Sequence, residues 1–531
     1  MDKKERIYLC LIILLAFLVR FLNLLEIHNN PLPYVIVNWE AFDQYRFMEL
    51  ARVFLNENWI GIEVTRYSPV YSWVIALLLK LFGDNLTIVF LFQMLLGVLA
   101  CYVIYKIAFL IFENKTIGLI SSFIMALYAP LIFYETKLIR AALITYSVLF
   151  SFYFFLIFLK SKKLNYVFFS GLILGFSIVL RPHVLPLFII IYLLFTKILG
   201  RKKTIQSIGV FLVALIIMIL PLFIRNMTLG KKVIISYQGP STFWIGNTFD
   251  STGVGLPRRD TRNVLANESQ GSIAKTFLVF AKETSKHPSE YIKLYLNKMR
   301  MFFNAYEVPG NLNYYLFVQQ QIALKIAIFN FGFIIPLALL TLILVKNKYI
   351  YIPALCLFLS VLVFSVVLFH IQGRYRLPSV PFFIILASYG IWTIFNSLKN
   401  KKYGFVLGVA LLLFVFLSLT KINIDEVKYY SGSLIRESDY IKQVAAYLSK
   451  GNCNDLTNYD IKKLNYNLDM MIGSGQPDLH LDSYLHIIVA YNFMGCNKKA
   501  YEVMDYVDYI NLNNPTNKKK LAAFKDRIHT K

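Results

Sequence analysis

Charge is what this sequence has least of. Only 16% of its 531 residues are Asp, Glu, Lys or Arg, and acids number just 30. A water-soluble chain of this length would need far more polar surface, so a soluble enzyme is excluded first. Five cysteines are too few for a disulfide scaffold and show no metal-finger spacing. Seven histidines show no ligand pattern either, which leaves no strong metal site. No basic soluble module or nucleic-acid motif occurs, so nucleic acid is not an expected partner.

What is abundant is apolar and aromatic. Hydrophobic residues make up 57% of the chain, with 45 Phe and 35 Tyr. Mean hydropathy is +0.57. A helix needs about 20 apolar residues to cross the hydrocarbon core. Such runs fall at 7–26, 88–112, 116–134, 139–159, 166–180, 183–199, 206–225, 322–345, 349–371, 380–397 and 404–421. The expected fold class is therefore an all-α polytopic membrane protein of about 11 transmembrane helices. The first run has a basic flank (Lys3, Lys4, Arg6) and no small-residue cleavage site, so it reads as a retained helix.

The net charge of +25 reads first as cytoplasmic loop charge, and Lys/Arg in the short loops set the orientation. Lys/Arg clusters at 3–6, 160–163, 201–203, 346–348 and 399–402 all fall on one face, the cytoplasmic one by the positive-inside rule. The segment 68–83 would disturb that pattern as a span. It reaches only about 24 Å as a helix, so it is placed in the outer interface or made re-entrant. The expected organisation is a catalytic membrane region 1–421, with a first outer loop at 27–87 and a large outer loop at 227–321, followed by a small helical tail at 422–531. His287-Pro288 opens the clearest helix of the large loop. The tail holds a tetratricopeptide-like fragment, IIVAYNFMGCNKKAYEVMDYV, with small residues Ala490, Gly495 and Ala500. Its Cys453 and Cys496 either pair in an oxidising compartment or remain free thiols.

Ionisable residues gather at the outer face. On a helix, Glu40, Asp43, Phe47, Leu50, Ala51 and Phe54 share one side, which turns two carboxylates toward the protein body. Inward charge needs a partner or a task. Glu135 closes the span 116–134, with Lys137 and Arg140 as possible partners. Arg181 sits in the tight hairpin VLRPHVLP, Arg374 and Arg376 in HIQGRYRLPSVP, and Arg66 in TRYSPVYSW. Carboxylate beside guanidinium at a lipid surface suits chemistry on a phosphate-linked lipid. The loop GPSTFWIGNTFDSTGVG at 239–255 reads either as a sugar or peptide contact through Phe243 and Trp244, or as a plain turn-rich loop.

Four segments in order resemble the GT-C membrane glycosyltransferases, above all the protein O-mannosyltransferase and aminoarabinose transferase group. They are DQYRFMELA at 43–51, RYSPVYSWVIALLLKLFG at 66–83, GLILGFSIVLRPHVL at 171–185 and GRYRLPSVPFFIILA at 373–387. The first loop offers Glu40 and Asp43 instead of an adjacent acidic pair. The resemblance implies an inverting transfer of one sugar from a polyprenyl-phosphate donor to an acceptor protein, lipid or glycan outside the cytoplasm, at the plasma membrane. It suggests Asp43 as base, with Glu40 and Glu135 as further catalytic acids. Arg66, Arg181, Arg374 and Arg376 would bind the lipid phosphate, and Tyr45, Tyr67 and Tyr375 the substrate. No cofactor is expected to be required, with a divalent ion on Glu40/Asp43 oxygens the only metal option. Membrane lipids are the other expected partner. A transporter, a ligase or polymerase using a diphosphate-linked donor, and a scaffold for the tail are the alternatives. A hydrophobic wall beside Asp43 would raise its proton affinity.

Overall fold

The computed structural model describes residues 3–28, 43–187, 200–254 apart from 232 and 237, 259–308, 314–345, 349–420 and a few isolated positions of the tail. Among the described residues the chain is helical, and one isolated β-bridge is its only extended pairing. Six helices are long and apolar enough to cross a membrane, so this is an integral membrane protein. Glu40, the second arm of the 181 hairpin beyond residue 187, Cys453, Cys496, Ala490, Gly495 and Ala500 lie outside the described residues.

Helix α1 (Lys3–His28) covers the first expected span. Helices α2 (Asp43–Asn56) and α3 (Val70–Phe82) form the first-loop pair. Ser72 Oγ donates to the Phe47 carbonyl at 2.9 Å, and Phe47 meets the Tyr71 ring edge-on at 5.1 Å. At 13 residues α3 reaches about 20 Å, short of a span, as its length in the sequence indicates. Helix α4 (Leu86–Phe112) is continuous.

The expected span 116–134 is broken. Helix α5 (Lys115–Ala126) stops, Leu127 turns, Tyr128 extends, and α6 (Ala129–Glu135) resumes. The expected span 322–345 is broken as well, into α15 (Ile322–Ile326) and α16 (Phe331–Leu344), preceded by the short α14 (Tyr314–Gln320). The two breaks satisfy each other. Phe329 N donates to Leu127 O at 3.1 Å, and Ala129 N donates to Phe329 O at 3.0 Å. Non-helical backbone is tolerable within an apolar body only when its polar groups find protein partners, and here they do. Glu26 caps α15, accepting from Ile322 N at 2.8 Å and Ala323 N at 3.1 Å.

Helices α7 (Ala141–Ser161), α8 (Leu164–Leu180) and α9 (Arg201–Thr228) follow the expected spans. The large loop folds into α10 (Gly239–Gly246), α11 (Arg259–Glu268), α12 (Ile273–Lys286) and α13 (Pro288–Phe302), the last starting at the proline expected to start it. Then come α17 (Ile352–Leu368), the short α18 (Gly373–Arg376), α19 (Val380–Lys399) and α20 (Tyr403–Thr420). Gly373–Lys399 is near-continuous helix, with a tight turn at Leu377–Ser379.

Candidate active site

Asp43 occupies the first turn of α2 and faces the body of the protein. Its Oδ2 accepts from Arg374 Nη1 at 2.7 Å, and its Oδ1 accepts from the Tyr67 hydroxyl at 3.0 Å. The two side chains of this ion pair are 18% and 8% exposed, which shields the bond from water. Residues 331 positions apart meet here, because the first loop lies over the 369–376 segment. Arg374 is held from behind: its Nε donates to Gln372 Oε1 at 2.8 Å, and its Nη2 to the Tyr375 hydroxyl at 3.3 Å.

Further guanidinium groups close in. Arg181 lies over the Tyr375 ring, 4.2 Å from its centroid. Arg140 lies over Phe47 at 5.1 Å and Tyr67 at 5.5 Å, and donates to the Leu180 carbonyl at 2.8 Å. Arg66 is at the exposed rim, 6.0 Å from the Tyr67 centroid. The cluster thus gathers Arg140, Arg181 and Arg374 around Asp43, its one carboxylate among the described residues. Arg140 is the member that sequence reading missed, having been read as a partner for Glu135.

Asp43 itself departs from expectation. Burial pushes its carboxyl up, but the Arg374 guanidinium, with Arg140 and the Tyr67 hydroxyl, outweighs burial and holds it below the usual carboxylate range. The raised proton affinity expected from a hydrophobic wall is reversed, because the wall is lined with cations. Burial and the neighbouring Asp43 charge push the Tyr67 phenol up to about 12, so it stays a hydrogen-bond donor.

Three other expected site residues lie elsewhere. Glu135 does not face Asp43. Its carboxylate turns inward to Arg20, with Nε at 2.9 Å from Oε2, and accepts a hydrogen bond from the Tyr146 hydroxyl. Arg20 also donates to the Ala126 carbonyl at 3.0 Å and the Met125 carbonyl at 3.4 Å, at the helix break. Glu135 is thus the counter-charge of an arginine that caps a broken helix. Lys137 and Arg140 leave it alone: Lys137 sits over the Phe317 ring at 3.9 Å.

Arg376 also serves the framework. It donates to the carbonyls of Phe302 at 2.9 Å and Asn304 at 2.6 Å, and pairs with buried Glu307 at 2.8 Å. A lipid phosphate has no free fork to bind there. Tyr45 points along α2 toward Glu49, with its hydroxyl 3.5 Å from Oε1, away from the Asp43 cluster.

Gly373 fixes the arginine segment. A Cβ there would lie 2.6 Å from Glu307 Oε2 and 3.3 Å from the Val308 carbonyl. Gly373→Ala should therefore push Glu307 off Arg376 and cost about 1–3 kcal/mol, as overpacking does. Thermal melting in detergent reads this, and an unchanged Tm would show the segment to be looser than drawn.

Phe243 and Trp244 do not present themselves to substrate. Trp244 is fully buried and donates to Ser269 Oγ at 2.8 Å. They form the core of the large loop. Asn247 and the buried Lys298 tie that loop to the end of α17: Asn247 Nδ2 donates to Leu368 O at 2.9 Å, and Lys298 Nζ to Phe369 O at 2.8 Å.

Residues 66–224 match the family model described as dolichyl-phosphate-mannose-protein mannosyltransferase. A curated relative, dolichyl-phosphooligosaccharide-protein glycotransferase 1 of Archaeoglobus fulgidus, is 31% identical over 169 residues, or 29% of this chain and 27% of that protein. The chain therefore aligns with about a quarter of the length of that relative. The structure of the oligosaccharyltransferase AglB from Archaeoglobus fulgidus with an inhibitory peptide and a dolichol-phosphate overlays at TM-score 0.45 and 13% identity, covering 88% of this chain and 60% of that one. A crystal structure of the Archaeoglobus fulgidus oligosaccharyltransferase with Zn and sulfate overlays at TM-score 0.43 and 13% identity, covering 82% and 55%. Over residues 66–224 the chain is thus similar to that mannosyltransferase family, a stretch that takes in the motifs at 66–83 and 171–185 and leaves those at 43–51 and 373–387 outside it.

Proposed function

We propose that this protein transfers a single sugar from a polyprenyl-phosphate-linked donor to an acceptor hydroxyl, with inversion, on the extracytoplasmic face of the plasma membrane. One observation carries the reading: among the described residues, Arg140, Arg181 and Arg374 converge on one carboxylate, Asp43. A guanidinium held out of water without a counter-charge is costly. The surplus positive charge is accounted for by an anionic group that arrives with the substrate, and a lipid phosphate at a membrane surface is the group that fits.

The chemistry then divides between the two kinds of side chain. The acceptor oxygen bonds to the anomeric carbon, and the bond from that carbon to the phosphate oxygen breaks. The acceptor proton passes to an Asp43 oxygen. The departing phosphate gains a negative charge, which Arg140, Arg181 and Arg374 stabilise as it develops. In the resting protein Arg374 holds Asp43 ionised and weakly basic. Donor phosphate competes for the same Nη1, loosens the ion pair and raises the proton affinity of Asp43 when the base is needed. Tyr67 keeps the freed carboxylate in place.

The relative's name, with its phosphooligosaccharide, supports a second reading in which the donor carries an oligosaccharide. The protein, purified in detergent, should consume polyprenyl-monophosphate mannose or another monophosphate sugar and ignore diphosphate-linked oligosaccharide. The opposite preference would favour the second reading, and consumption of neither would remove a transferase altogether. Arg140→Gln should lower kcat/KM for the donor by about 10²-fold, the cost of one stabilising donor. Metal independence is part of the proposal. Loss of transfer in chelator would bring in a divalent ion on Glu40 and Asp43. Whether the acceptor is protein, lipid or glycan is a choice made by surfaces outside this cluster.

A further inference from the structure

Gln44 follows Asp43 on α2 and is only 2% exposed. Among the described residues, neither its Oε1 nor its Nε2 has a hydrogen-bond partner. It shares the buried face of the helix with Phe47, Met48 and Ala51, at spacings of three, four and seven. Side chains on a helix lean toward its N-terminus, so the Gln44 amide lies in the turn before Phe47, on the face the two residues share. Phe47 in turn lies against Tyr67 at 5.7 Å and under the Arg140 guanidinium. The amide therefore borders the cluster that holds the proposed phosphate site.

A primary amide buried with its acceptor and both donors unmet is among the more expensive features a fold can keep. Its two ends ask for a ligand that both donates and accepts within a few ångströms. Phosphate only accepts, and the arginines already supply donors for it. Alcohol hydroxyls do both, and a sugar ring carries several.

We infer that Gln44 reads hydroxyl groups of the transferred sugar, and is a specificity-determining residue of this site. The assignment rests on the glycosyl-transfer reading above. With phosphate on the arginines and the acceptor hydroxyl at Asp43, the sugar must lie between them, within reach of the residue next to Asp43. The amide is neutral, so it does not compete with the phosphate for guanidinium.

The test separates the sugar from its lipid phosphate. Thermal melting is recorded for the full-length protein and for Gln44→Met, an apolar replacement of similar volume. Each is measured alone, with polyprenyl phosphate, and with polyprenyl phosphate carrying mannose, glucose or arabinose. Wild type should be stabilised by the sugar-free lipid and further by at least one sugar-bearing form. Gln44→Met alone should melt no lower than wild type, because it removes an unmet amide. It should keep the stabilisation by the sugar-free lipid and lose the increment due to sugar. An equal sugar increment in both proteins overturns the assignment, as does no increment for any sugar in wild type. A Tm several degrees lower for Gln44→Met alone would show that the amide has a structural partner, and also overturns it. If no lipid phosphate stabilises wild type, the glycosyl-transfer reading fails first and takes Gln44 with it.

Discussion

Asp43→Asn should lower glycosyl transfer by about 10²–10⁴-fold, the range that loss of a positioned general base produces. The substitution keeps the shape of the side chain. Asn can still accept from Tyr67, and Arg374 retains Gln372 and Tyr375 as partners. The variant should therefore still insert and bind sugar-free polyprenyl phosphate, but alone it should melt lower than wild type, because the buried guanidinium groups lose their carboxylate counter-charge. Its deficit should lie in kcat. Turnover above about a tenth of wild type would remove Asp43 from the base role. The pH profile gives an independent arm. Only ionised Asp43 accepts a proton; burial raises its proton affinity, but Arg374, with Arg140 and the Tyr67 hydroxyl, outweighs burial and holds it low in the free protein. The acidic limb of kcat/KM, which reports the free enzyme, should thus lie below the usual carboxylate range. Removing Arg374 as Arg374→Gln takes away the main opposing influence and leaves burial, so the limb should move to higher pH. A limb that stays put would mean that the group titrating there is not Asp43.

Part of this site was legible in the sequence and part was not, for reasons that follow from the fold. Asp43, Arg181 and Arg374 could be singled out because each is a charge set against an apolar run, where it must have a partner or a task. The helix at 288–302 was legible from Pro288, and the shortness of 70–82 from counting residues. The helix breaks at 127–128 and 327–330 were not. The first is filled by Leu127 and Tyr128, and the second is apolar up to Asn330, the polar residue that caps α16; a hydropathy window averages across both. The bridge between them is made by backbone atoms 200 positions apart, which no local pattern announces. Missing the first break put Glu135 at the outer end of an intact helix, when it closes a short second helix and turns into the core. Arg140 was missed for a related reason: a nearby acid in sequence looked like its partner, while its real contacts, Phe47, Tyr67 and the Leu180 carbonyl, come from three other segments. One signal was overlooked. Arg20 stands alone in the apolar run of α1, and a lone guanidinium there demands a buried anion by the same argument that served for Asp43.

That overlooked residue carries the largest expected effect on stability. Arg20 binds Glu135, Ala126 O and Met125 O at once, and Gly97 leaves room for the pair: a Cβ there would lie 2.9 Å from Arg20 Nε. Arg20→Met removes the cation and leaves the Glu135 carboxylate buried with Tyr146 as its remaining donor. Breaking a buried pair from one side costs about 3–5 kcal/mol. The loss should appear in detergent as a large drop in Tm and as poor recovery of monodisperse protein. Arg20→Lys separates charge from shape. A lysine supplies the charge as a compact ammonium, but cannot reach Glu135 and two carbonyls with a planar fork. If the ion pair alone matters, Arg20→Lys should melt near wild type. If the fork also satisfies the carbonyls at the helix break, Arg20→Lys should fall well toward Arg20→Met, and that second result is the one expected. The break would then be held by a side chain and not only by the Tyr128–Phe329 bridge. The position of α6, and through it of Arg140 at the candidate site, would depend on one guanidinium in the first helix.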